Sequence, residues 1–164
     1  MQLPKYGIEN INNSSQQVSL SEGAFPWVDG PVELSAARVN LEGGETVLYA
    51  SAVGLNSSVE KLARKVPDEQ SQNAEQGLFK GLSTYLAGGS PANFDTVAGV
   101  DIDGEVFKVS KSGRNAARLY FAVIRTGEEP LVVKLGIANH DQQIALQGII
   151  GNVRRRQKKD GRSR

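Results

Sequence analysis

Hydrophobic and polar residues alternate most regularly between residues 105 and 137. Glu105-Val106-Phe107-Lys108-Val109-Ser110-Lys111 alternates with period two, the signal of a strand. Residues 118–125 and 131–137 are rich in aromatic and β-branched side chains and predict two more strands. The links Ser112-Gly113-Arg114-Asn115 and Thr126-Gly127-Glu128-Glu129-Pro130 have turn chemistry, so the three strands predict an antiparallel meander. Alternation then sorts Phe107, Val109, Leu119, Phe121, Val123, Val133, Leu135 and Ile137 onto one apolar face, laid on a core. The other face receives Lys108, Ser110, Arg118, Tyr120, Val132 and Lys134. It reads either as a solvated face, which antiparallel sheets often have, or as a surface for phosphate and nucleobase with His140 at its rim.

Upstream the pattern changes period. Residues 46–53 read as a strand. Ser57 with Glu60 three residues later fits a capping box, and Val59, Leu62, Ala63 and Val66 form one apolar stripe of a helix. Pro67 marks a break. Residues 68–87 form the longest helical candidate, with Leu78, Leu82, Tyr85 and Leu86 on its buried side and Gly88-Gly89 as its stop. Asp68, Glu69 and Glu75 suit the positive end of its dipole. Residues 90–104 read as a connection. Its Asp101-Ile102-Asp103-Gly104 lacks the further oxygen ligands of a calcium loop and reads as a turn. Residues 141–148 predict a short helix.

Residues 1–23 are rich in Asn, Ser and Gln and predict mainly irregular structure, with a short strand following at 37–41. Phe25 and Trp27, between turn residues, are expected to anchor their segment on the domain rather than to stack a base. The chain therefore divides into an N-terminal extension (1–45), an α+β domain (46–153) and a basic tail (154–164). The fold class is α+β: a small antiparallel sheet with a helical hairpin on one face, in the order β-α-α-β-β-β-(α).

Composition narrows the chemistry. The 164 residues hold no cysteine and one histidine, so disulfide, thiolate and histidine-rich metal sites are excluded and no cofactor is expected. No apolar run is long enough for a membrane span and no signal peptide is visible, which makes cytoplasmic residence the default. The net charge of +1 is uneven: residues 154–164 carry seven basic residues and one acid, leaving −5 on residues 1–153. Arg154, Arg155 and Arg156 open this tail, which reads as a nucleic-acid arm or a solubilising end.

The order of elements from residue 46, with the run Val106-Phe107-Lys108-Val109-Ser110-Lys111-Ser112-Gly113, the strand opening at Arg118 and the approach Leu135-Gly136-Ile137-Ala138-Asn139-His140-Asp141, resembles the RelE/ParE superfamily of bacterial toxins. The likeness covers about residues 46–150. Its ribonuclease branch implies a metal-independent endoribonuclease that cleaves messenger RNA, including ribosome-bound RNA, by 2′-hydroxyl attack on the adjacent phosphate, with an antitoxin protein as partner. By that resemblance Lys108, Arg118 and His140 are catalytic, and Lys111, Arg114, Tyr120, Arg154, Arg155 and Arg156 bind RNA. Gyrase-poisoning relatives share the fold. Two other classes stay open: a non-catalytic nucleic-acid-binding module using the tail, and a structural protein that docks through Phe25 and Trp27. Structural roles compete residue by residue: Arg118 paired with Glu105 across the sheet, Lys134 solvated, and Tyr49 and Tyr85 in the core with hydroxyls at its edge.

Overall fold

A computed structural model describes residues 15–109, 116–125 and 127–151. The chain is α+β, with a single mixed sheet among the described residues. Strands β1 (Ser15–Leu20), β2 (Val32–Asn40) and β3 (Thr46–Ser51) lead into helices α1 (Ser57–Arg64) and α2 (Asp68–Leu86). Strands β4 (Phe94–Thr96), β5 (Glu105–Val109), β6 (Arg118–Ile124) and β7 (Leu131–Ala138) follow. A 3₁₀ turn, His140–Gln142, opens a last helix, α3, which occupies residues 143–151. The spatial order is β1-β2-β3-β7-β6-β5-β4. Every pairing is antiparallel except β3 with β7, which are parallel and joined by the long excursion through α1, α2 and the meander.

The meander β5-β6-β7 forms as its alternation predicts. Three local expectations change. Residues 15–20 are not irregular but a strand, and the short strand expected at 37–41 is the second half of a longer one, Val32–Asn40; both continue the same sheet. Residues 94–96, read as connection, add a short edge strand to β5. The cap of α1 is Asn56 rather than Ser57: its Oδ1 accepts from the Ser58 and Val59 amides, while Nδ2 donates to the Trp27 carbonyl at 2.7 Å. Glu60 pairs with Arg64 one turn on, at 2.8 Å, instead of closing a capping box.

The larger correction concerns the faces of the sheet. Both are buried. The first face carries Leu34, Ala50, Tyr120, Ala122, Val133 and Leu135 and is covered by Phe25, Trp27, Val59, Leu62, Leu146 and Ile150. The second carries Val47, Phe107, Leu119, Phe121, Val123 and Val132 and is covered by Ala74, Leu78, Phe79 and Leu82 of α2. The two helices therefore lie on opposite faces and do not form a hairpin on one. Between them the chain rounds the end of the sheet, where Asn139 Nδ2 donates to the Lys65 carbonyl. Phe25 and Trp27 stack at 5.5 Å within the core, as anchors, which removes them as a docking surface.

Two-sided burial also reassigns individual residues. Tyr120 and Val132, expected on an open face, are fully buried. Val132 lies opposite Val123, so Val133 and Leu135 point to the first face and not to the face of Phe107. A bulge then restores the phase. Tyr120 opposes Gly136 while Phe121 opposes Lys134, leaving Leu135 as the extra residue. Ile137 thereby returns to the second face. Gly136 is the residue this geometry needs, because a Cβ there would stand 2.8 Å from a Leu146 methyl and 3.2 Å from Val59.

Gly104 ends the Asp101–Gly104 bend with φ +111°, and a Cβ there would lie 2.5 Å from the Val123 carbonyl oxygen. Gly44 has a similar φ of +93° but faces open space. Gly104→Ala should lower stability by about 2–4 kcal/mol and Gly44→Ala by about 1 kcal/mol, because only the first adds a backbone clash to the strain. Denaturant midpoints of the two variants check the difference, and equal losses would contradict the packing at Gly104.

Candidate nucleic-acid site

The cations predicted for chemistry gather at one end of the meander. Lys108 lies near the C-terminal end of β5, Arg118 opens β6, and His140 stands two residues past the end of β7. Lys108 opposes Tyr120, and Arg118 opposes Ala138, so Lys108, Tyr120 and Arg118 share the first face. The segment joining β5 to β6 leaves from the same end. Its Lys111 and Arg114 lie outside the described residues, as do Arg154, Arg155 and Arg156.

Helix α3 lies across this face and meets it through two glutamines one turn apart. Lys108 Nζ donates to Gln143 Oε1 at 3.5 Å, and the Tyr120 hydroxyl donates to Gln147 Oε1 at 2.7 Å. Between them Leu146 enters the core over Gly136. The spacing is helical logic: residues 143 and 147 share one side, and 146 and 150 supply the apolar contact beside it. Burial pushes the Tyr120 phenol up to about 12, against an opposing pull from the Arg118 charge. Tyr120 is thus a clasp for α3, not a ring offered to a base.

Arg118 keeps part of its guanidinium in use, with Nη1 donating to the Ala116 carbonyl at 2.7 Å. It does not pair with Glu105, which opposes Val123 in register and instead accepts the Tyr85 hydroxyl. Asp95 stands opposite Lys108 in the register of β4 and β5. His140 is half-exposed, its side chain 48% accessible, and Nδ1 lies 3.5 Å from Asp141 Oδ1. Its polar partner is thus within its own turn, and Lys108 turns to Gln143 instead. The arrangement offers a phosphate two cations on neighbouring strands and an imidazole at the adjoining strand end.

The opposite face holds a polar cluster that the sequence reading missed. The Tyr49 hydroxyl donates to Glu75 Oε2 at 2.6 Å, and Lys134 Nζ lies 3.7 Å from the same oxygen. Lys134 is not solvated: its side chain is 14% accessible. Burial, then the Glu75 charge and hydrogen bond, raise the Tyr49 phenol well above its ordinary range. The three groups satisfy one another between α2, β3 and β7, which is a structural tie. The period-two signal placed Tyr49 and Lys134 on strands but could not pair strands 85 residues apart. Among the described residues no group of His, Asp and Glu forms a metal site, and no helix is long and apolar enough to cross a membrane. No family model, curated protein or solved structure matches this chain.

The raised Tyr120 pKa has a definite sign in pH. The folded value of about 12 lies above the ordinary 10.0, so the protonated phenol contributes its full stability below about pH 10 and loses it as pH rises through 12. Tyr120→Phe should lower stability at pH 8 by about 1 kcal/mol, through the lost bond to Gln147, and should flatten the decline between pH 10 and 12. Urea titrations at stepped pH check this, and an unchanged alkaline slope would contradict a buried, hydrogen-bonded phenol.

Proposed function

We propose that this chain binds RNA at the end of the β5-β6-β7 meander, with Lys108 and Arg118 holding backbone phosphate and the basic run of residues 154–164 adding unspecific affinity. One observation carries the reading: Lys108, Arg118 and His140 come to one end of three adjacent strands although 32 positions separate the first from the last. Folding does not require this convergence, since the apolar residues around it already fill both faces. A planar guanidinium on one strand and an ammonium on the next match a phosphate's oxygens in different ways, by fork and by point charge. The −5 charge of residues 1–153 makes local cation placement matter, because the body of the protein does not attract a polyanion by itself.

A second reading is favoured by the exposure of His140. In a toxin-like endoribonuclease, the reaction suggested by the RelE/ParE resemblance, the 2′-oxygen attacks the adjacent phosphorus as its proton passes to a base. The bond from phosphorus to the 5′-oxygen breaks, and an acid protonates that oxygen. A cyclic phosphate and a 5′-hydroxyl result. A half-exposed imidazole can serve as the base or the acid, and Arg118 with Lys108 would stabilise the negative charge that develops on the phosphoryl oxygens. Tyr120 has no part in such a step, because it is fully buried and its hydroxyl is held by Gln147.

Binding and cleavage separate by experiment. Fluorescence anisotropy with a single-stranded RNA should give an affinity that falls with salt, at a logarithmic slope of about −0.7 per phosphate neutralised. Lys108→Ala and Arg118→Ala should each weaken binding several-fold and reduce that slope by about one contact. If only replacement of Arg154, Arg155 and Arg156 weakens binding, the sheet-end site is wrong and the tail acts alone. In the second reading, cleavage of labelled RNA should fall by about 10²-fold or more in His140→Ala while binding is kept. It should stop on a substrate with 2′-deoxyribose at the cut. Intact RNA with wild-type protein leaves the chain a binder.

A further inference from the structure

The two edges of the sheet are protected very differently. At one edge β4 is three residues long, has Asp95 at its centre and follows Pro91. Short length, charge and proline are the usual devices that keep an edge from pairing with another chain. At the other edge β1 has none of them. Its sequence, Ser15-Gln16-Gln17-Val18-Ser19-Leu20, holds no charge, no proline and no glycine. Its register with β2 runs through six consecutive pairs, from Ser15 with Ala37 to Leu20 with Val32, without a bulge. Among the described residues β2 is the one strand bonded to it. A six-residue strand with one ladder made leaves a second row of amide and carbonyl groups directed outward.

We propose that β1 pairs antiparallel with β1 of a second copy of this chain, joining two sheets across a two-fold axis. An uncharged strand does not repel its own twin, whereas a charged partner strand would meet no complement on it. Self-pairing is also closed. Among the described residues each copy offers one open edge, since β4 is blocked, so association stops at two and does not run on into a fibre. The side chains select a register. Val18 and Leu20 sit on the first face, partly exposed at the margin of its apolar cluster, while Gln17 and Ser19 face solvent on the other side. An axis through Val18 sets Val18 against its own twin and extends the apolar row. It places Gln17 opposite the twin's Ser19, a neutral polar pair on the exposed side. Shifting the register by one residue would move Val18 off the axis and set it against a glutamine or serine.

Sedimentation equilibrium of the full chain over micromolar concentrations tests this. The wild type should approach twice the 17.6 kDa of one chain. The double variant Gln17→Lys with Ser19→Lys puts lysine opposite lysine twice, at positions exposed in the single chain, so folding is kept and a thermal melt verifies it. Its dimer should be weaker by about tenfold or more. Mixing it with the variant carrying Gln17→Glu and Ser19→Glu should restore a dimer of mixed composition. A wild type that sediments as one chain throughout, or a lysine variant that dimerises as well as the wild type, overturns the proposal.

Discussion

Burial of β6 and β7 on both faces is the constraint on which the rest of the structure depends. Every residue of β6 from Leu119 to Ile124 is buried, and so is every residue of β7 except Lys134. Each large aliphatic or aromatic side chain so enclosed contributes about 1.5–3 kcal/mol. One layer of helix cannot enclose two faces. The chain therefore sends α2 to one face and returns α1, α3 and the Phe25–Trp27 segment to the other. Central strands then hold few polar groups, and those present must find partners inside. Lys134 reaches Glu75, and Tyr120 reaches Gln147.

The bulge at Leu135 links this packing to the candidate site. Without the extra residue, Ile137 and Ala138 would exchange faces, and the end of β7 would present its side chains differently to Arg118. With it, Gly136 opens room for Leu146, and Leu146 holds α3 over Lys108 and Tyr120. The cations are thus placed by a core device and by one bare backbone position. The same helix that shields the face leaves its first turn, with His140 beside it, at the accessible rim.

Local pattern made much of this legible in the sequence. The meander, the two helices and the stop of α2 at Gly88-Gly89 follow from period and turn chemistry over short spans, whereas the cap of α1 fell one residue from the expected position. The faces did not, for a physical reason. Phe107 and Phe121 alternate with Lys108 and Tyr120, and alternation gives two sets without saying how many layers cover them. Tyr120 and Val132 looked outward because polar neighbours shared their parity, yet α3, whose Gln147 lies 27 positions further on, covers the tyrosine. β1 was hidden by its Ser and Gln, which are weak strand formers whose pairing is set by the ladder and by Val18 against Leu34, while β2 was legible only in its second half. The glutamine clasp had no sequence signal, since two glutamines one turn apart are ordinary on a solvated helix.

The central claim is that polyanion recognition is centred where β5, β6 and β7 end together on the first face. Backbone amide shifts in a nitrogen-15 NMR titration of the full chain with a short single-stranded RNA test it most directly. The account predicts the largest changes at Lys108, Arg118 and residues 139–143, with β1 and α2 unmoved. Changes confined to α2 and the β1–β2 hairpin, with the meander end silent, would contradict it.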